Sequence, residues 1–267
     1  MLIPKTISIV LFFIPLFIWT QILNIDRENG QDSIKKNFKG SFIFNFSGDK
    51  QRRNVIEFTN TSEMDLFVKK NRVFIFVGQT DLIMNGSSLL ENNGFFQLRF
   101  RDNDTRKIYP DLFTQYQWNG IQGMEYRGLG GMNLRMRWLE KKRSDLYTSI
   151  GVFYENEKWN PNLKSFGYKA NMTSLDVVYR ELVRLNLSAK FALKLGKKID
   201  FSGITFVQFP FNEHFTDPRW FFDSNLNFEV NKNLSFLVHY DHNLDNYRPL
   251  PIDNYYYNLT LGFQLKI

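Results

Sequence analysis

From Phe38 onward, hydrophobic and polar residues alternate with a period of two, and no stretch keeps a 3.6-residue period over three turns. In a strand this alternation sends apolar side chains to one face and polar ones to the other. It is cleanest in the last segment, where Tyr257, Leu259, Leu261, Phe263, Leu265 and Ile267 alternate with Asn258, Thr260, Gly262, Gln264 and Lys266. Phe96, Leu98 and Phe100 oppose Gln97, Arg99 and Arg101. Met124, Tyr126, Met132, Leu134, Met136 and Trp138 oppose Glu125, Arg127, Asn133, Arg135 and Arg137. Trp220, Phe222, Leu226, Phe228 and Val230 oppose Asp223, Asn225, Asn227 and Glu229, and Leu234, Phe236, Val238 and Tyr240 oppose Ser235, His239 and Asp241. The pattern predicts about twelve strands, over residues 38–49, 53–68, 72–84, 94–103, 107–118, 122–139, 145–156, 175–193, 198–210, 219–231, 233–243 and 254–267.

Three features select among all-β architectures. Many of these strands are long enough to cross a bilayer at a tilt, whereas soluble strands average about five to six residues. Full charges recur on the polar face, so that face cannot line a dry core. Connections after the even strands look short, while several after odd strands are longer: residues 85–93, 157–174, 211–218 and 244–253. Short turns at one end and long loops at the other mark outer-membrane barrels. The expected fold is therefore an all-β, transmembrane, antiparallel up-and-down β-barrel with its apolar face toward lipid. Trp118, Trp138, Tyr126, Tyr240 and Tyr257 are candidates for the aromatic girdles at the two interfaces.

Composition narrows the setting. The 267-residue chain is 17% aromatic and 23% charged, with a mean hydropathy of -0.34. That average excludes a bundle of membrane helices. The absence of cysteine excludes disulfides, lipidation and a thiolate metal site. Lys5 followed by the apolar run from Ile7 to Trp19 reads as a secretory signal, too short to span a bilayer of roughly 30 Å as a helix. The expected organisation is a signal peptide over 1–21, a periplasmic tether over 22–37 and a barrel over 38–267, located in the bacterial outer membrane.

The stretch from Ile108 to Trp118, Ile-Tyr-Pro-Asp-Leu-Phe-Thr-Gln-Tyr-Gln-Trp, followed by Glu125 to Trp138 with Gly128, Gly130 and Gly131, resembles an uncharacterised domain-of-unknown-function family of salt-induced outer-membrane β-barrel proteins. The similarity extends from about Gly40 to Ile267. It implies an outer-membrane barrel, with no established activity and no catalytic residues to carry over. Where many such barrels end on an aromatic residue read by the insertion machinery, this chain ends on Ile267, with Phe263 four residues back. The expected partners are outer-membrane lipid and that machinery, acting through Tyr257 to Ile267, with no nucleic acid.

Little else carries chemistry. The acids Glu57, Glu63, Asp65, Glu125, Asp223, Glu229 and Asp241 and the bases Arg99, Arg101, Arg127, Arg135, Arg137, Arg184, Lys190 and His239 fall on the inward face. They form either a charge-selective constriction or an ion-paired filling; a barrel of about eight strands is filled by side chains and one of 16 to 18 holds a channel. The filled reading is favoured. His239 and Asp241 lie about 7 Å apart on one face, so a nucleophile from a neighbouring strand would complete a lipid hydrolase. Ser235 is too far along the same strand. Without such a nucleophile they are ordinary interior residues. His239 and His242 face opposite sides, which argues against a shared metal. Gly128-Leu-Gly-Gly131 lacks the ending of a phosphate loop and makes room for neighbouring aromatics instead. No catalytic, cofactor or metal residues are assigned. The leading expectation is a non-enzymatic narrow or filled passive pore or structural envelope protein. The alternatives are the hydrolase, and a binding or adhesion barrel working through loops that carry Trp159, Phe166, Tyr168 and Phe215.

Overall fold

The computed structural model describes residues 38–50, 54–69, 72–102, 107–141, 143–163, 165, 176–231 and 234–265. The signal peptide and tether expected over 1–37 lie outside them, as do Phe166, Tyr168 and Ile267. Twelve strands follow in order: β1 Phe38–Lys50, β2 Asn54–Lys69, β3 Arg72–Asn85, β4 Ser88–Asp102, β5 Ile108–Asn119, β6 Met124–Lys141, β7 Ser144–Trp159, β8 Val178–Leu195, β9 Ile199–Pro210, β10 Arg219–Glu229, β11 Leu234–Asp245 and β12 Tyr255–Leu265. Each pairs antiparallel with its sequence neighbour in one sheet. No helix occurs among the described residues.

The faces divide as the alternation predicts. On β4, Phe96 and Leu98 are exposed while Gln97, Arg99 and Arg101 are buried; on β12, Tyr257, Leu259, Leu261 and Phe263 are all exposed. The sheet curls around its polar face. Arg219 on β10 reaches Glu155 and Glu157 on β7, two strands beyond its neighbour β9. Apolar side chains also share this inner face and form two clusters there, Val73, Ile75, Val77 and Phe95 on β3 and β4, and Ile204, Phe206 and Phe221 on β9 and β10. The inner face of β1 is exposed.

The connections correct one expectation. Residues 85–93 form no long loop: β3 continues to Asn85, β4 starts at Ser88, and Gly86 turns the chain with φ 62°. Asn-Gly is a hairpin signal, because this tight turn needs a positive φ that a side chain opposes. The longer connections at that end are residues 160–177, 211–218 and 246–254. The last is anchored. Its base is closed by Asp245 N–H donating to Asn254 O at 2.8 Å. Leu250 and Ile252 pack with Met124 and Trp159, and Arg248 donates to Gln122 Oε1 at 3.3 Å. Tyr247 lies between the His214 ring, at 4.0 Å between centroids, and the Arg180 guanidinium, 4.8 Å from its ring.

Aromatic rings on the outer face fill space left by glycine. A Cβ on Gly94 would lie 2.3 Å from the Trp118 ring, and one on Gly78 would lie 3.0 Å from Phe96. Trp118, Trp138 and Trp220 satisfy their indole N–H groups on Asn92, Thr148 and Thr205. The glycine run of β6 behaves unevenly. A Cβ on Gly131 would collide with Phe153, whereas Gly128 faces open space and Gly130 meets only ordinary contacts. The expectation that this run makes room for aromatics therefore holds at Gly131 alone.

Candidate functional site

Two clusters of ionised side chains are buried on the inner face. In the first, Asp111 on β5 is shared by three guanidiniums: Arg99 Nη2 at 2.7 Å, Arg101 Nη2 at 3.5 Å and Arg135 Nη1 at 3.6 Å. Residues from three strands converge because β4, β5 and β6 place Arg101, Asp111 and Asn133 opposite one another in register. Arg135 and Arg137 lie over the rings of Tyr109 and Tyr147, which face the same way.

The second cluster lies toward the longer loops. Glu155 on β7 accepts from Arg184 Nε at 2.5 Å and Arg219 Nη1 at 3.2 Å, with Arg127 Nε at 3.8 Å. Glu157 accepts from Arg127 Nε, from Arg180 Nε at 2.8 Å, from Arg219 Nη2 at 3.4 Å and from the Trp159 indole at 3.0 Å. Asp245 holds Arg219 Nε at 3.0 Å. Both glutamates are fully buried. A carboxylate so far from water stays ionised only when donors surround it, and here several arginines do so.

Amides join the two clusters. Asn186 Nδ2 donates to Asn133 Oδ1 at 3.0 Å, Gln208 Nε2 to Asn186 Oδ1 at 3.3 Å, and Arg219 Nη1 to Gln208 Oε1 at 3.5 Å. Between the clusters is a cavity of about 50 Å³. Its wall carries Arg99, Arg127, Arg219, Gln97, Gln115, Gln117, Asn133, Asn186 and Gln208, with Phe113, Leu129, Phe153 and Phe206.

The sequence-selected charges are placed as follows. Arg99, Arg101, Arg127, Arg135 and Arg184 are buried inside, in the two clusters. Arg137 lies at the edge of the first and pairs with Glu140 at 2.7 Å. Glu57 faces inward on β2 and accepts from Ser47 at 3.2 Å. Glu229 ends the inward face of β10. His239 Nε2 lies 2.9 Å from Asp223 Oδ2, so its carboxylate partner comes from β10; Asp241 stands opposite Asp223 in register. Glu125 departs from the expectation. A bulge between Met124 and Tyr126 turns Met124 inward and leaves Glu125 at the rim, bonded to Lys158 at 2.7 Å and Asn160 at 3.0 Å. Glu155, Glu157, Arg180, Arg219, Asp111 and Asp245 were not selected from sequence, although each falls on the inward alternation of its strand. Among the described residues, no group of three His, Asp or Glu side chains is arranged to hold a metal.

A single up-and-down sheet with apolar side chains outside and ionised ones within defines the class of this protein. Within that class, the chain belongs to the family described as "Protein of unknown function, DUF481", whose model matches residues 83–265. The match starts near the end of β3, not at about Gly40, and assigns no activity. No curated protein and no solved structure matches the chain significantly.

Proposed function

We propose that this protein is a non-enzymatic β-barrel of the bacterial outer membrane that serves the envelope structurally, with its interior filled by its own side chains. The observation that carries the reading is the inversion of the two faces. Arg184, Glu155 and Glu157 are fully buried, whereas Phe263 is 75% exposed, Phe46 73% and Trp138 62%. In water such an exterior exposes far more apolar surface than a soluble protein tolerates; in lipid it is the favoured arrangement. Hydrocarbon offers the backbone no hydrogen bonds, so this reading requires the edges of β1 and β12 to pair and close the ring. Lipid is then the principal partner.

The filled interior favours the structural role over an open pore. Between β4 and β10 the inner side chains leave small cavities, one of about 50 Å³ between the clusters and others of about 10 Å³, and residues 246–254 fold across one mouth. The test is refolding of the full chain into lipid vesicles and planar bilayers. The expected result is stable insertion with no conductance steps. Large, steady steps would overturn the filled interior, and a folded protein that stays soluble without detergent would overturn the membrane reading itself.

A further inference from the structure

We propose that the cavity between the two arginine clusters is a binding site for a small oxyanion, a carboxylate or inorganic phosphate. Three of its wall residues, Arg99, Arg127 and Arg219, are cationic, and no carboxylate lines it. Each of the three is at least 95% buried. Their acidic partners hold them from the sides: Asp111 holds Arg99, while Glu155, Glu157 and Asp245 hold Arg127 and Arg219. The guanidiniums are thus fixed at the boundary of a small space lined otherwise by amides, phenyl rings and Leu129.

Charge around the cavity does not balance. Among the described residues of the second cluster, Arg127, Arg180, Arg184 and Arg219 are buried against Glu155, Glu157 and Asp245: four cations and three anions. Arg184 is fully buried and donates through Nε to Glu155, yet Nη1 and Nη2 have no hydrogen-bond partner among the described residues. Excess buried cations destabilise the fold unless an anion joins them. A water needs roughly 10–15 Å³ on the same measure, so this space admits a group of about four heavy atoms. The amide N–H groups of Gln115 and Asn133 and the planar guanidinium forks suit an acceptor with two or more oxygens.

The proposal rests on the inner face alone and does not depend on which membrane holds the protein. Calorimetric titration of the full folded chain in micelles, at constant ionic strength, tests it with inorganic phosphate and with acetate as probes. The expected result is saturable, one-to-one binding of at least one probe that chloride at equal concentration does not reproduce. Arg99→Gln should weaken it tenfold or more. Leu129→Phe, which fills the cavity and leaves every charge in place, should do the same and keeps the test valid if the arginine variant fails to fold. Saturable binding of neither probe to the wild type, or binding unchanged in the Leu129→Phe variant, would overturn the proposal.

Discussion

Asn186 on β8 donates a hydrogen bond to Asn133 on β6 across the whole width of β7, because the residue between them is Gly151. The register runs Asn133, Gly151, Asn186, Gln208, Arg219 and Asp245 from β6 to β11, and side-chain bonds follow the same row. The row ties five strands together on a face where hydrophobic packing is sparse. Adding a Cβ at Gly151 would place it 2.2 Å from Asn133 Oδ1 and from Met132 O. Gly151→Ala is therefore expected to displace Asn133 and destabilise the fold by about 1–3 kcal/mol, from strain plus an unsatisfied buried amide. Gly128→Ala, where a Cβ meets nothing within 4 Å, is the control and should be neutral or slightly stabilising. Urea unfolding of both variants in lipid vesicles checks the contrast.

The two selected and unselected glutamates at the ends of β6 and β7 should differ sharply. Glu157 is fully buried and anchors Arg127, Arg180 and Arg219. Glu157→Gln removes the charge and leaves three guanidiniums competing for Glu155 and Asp245; a loss of about 3–5 kcal/mol is expected. Glu125 pairs with Lys158 at the rim, where both side chains are half-buried. Surface pairs are screened by solvent, so Glu125→Gln should leave the unfolding midpoint unchanged within error. Equal effects at the two positions would contradict the burial assigned to Glu157.

These contrasts mark how far the sequence could be read. The strands and their faces were legible because period-two alternation is a local property: Phe96 to Arg101 suffices to say which side is wet. The hairpin at Gly86 carried its own signal in Asn85-Gly86, masked by the polar residues that follow in β4. The bulge after Met124 had none. One extra residue there reverses the face of both Met124 and Glu125, and the cause is the pairing of β6 with β7. The sharing of Asp111 among three arginines and the reach of Arg219 to β7 arise from sheet curvature, which no short window encodes. Glu155 and Glu157 could have been selected by extending the alternation of β7, where they follow Phe153 on the inner face.

Closure of the mouth by residues 246–254 depends on two apolar side chains. Leu250 and Ile252 are buried against Met124 and Trp159, and polar bonds from Arg180 and Arg248 hold the same loop. Leu250→Ala removes buried methyl groups and costs about 2–5 kcal/mol at the site. Since the loop is an appendage to a continuous sheet, that cost should appear mainly as local opening. The expected outcome is faster proteolytic cleavage within 246–254 and faster amide exchange there, with exchange in β6 and β7 little changed. Cleavage at the wild-type rate would show that the apolar anchor is not what seats the loop.

The sharpest consequence of the membrane reading concerns the outer face. Leu98 sits midway along β4, between Phe76 and Thr114 on the adjacent strands, and its side chain is exposed. On a soluble protein, Leu98→Arg at such a position would change stability by no more than about 0.5 kcal/mol, because the guanidinium would simply enter water. In a bilayer the same charge must sit in hydrocarbon near mid-depth and costs about 2–4 kcal/mol. Leu195 is also exposed, but it ends β8 beside the Gly196 turn. There an arginine reaches the head groups, and the cost falls to about 0–1 kcal/mol. Reversible unfolding from vesicles of wild type, Leu98→Arg and Leu195→Arg should therefore rank by depth and not by exposure, which is similar at both sites. A flat result across the pair would mean that the exposed apolar face does not meet lipid.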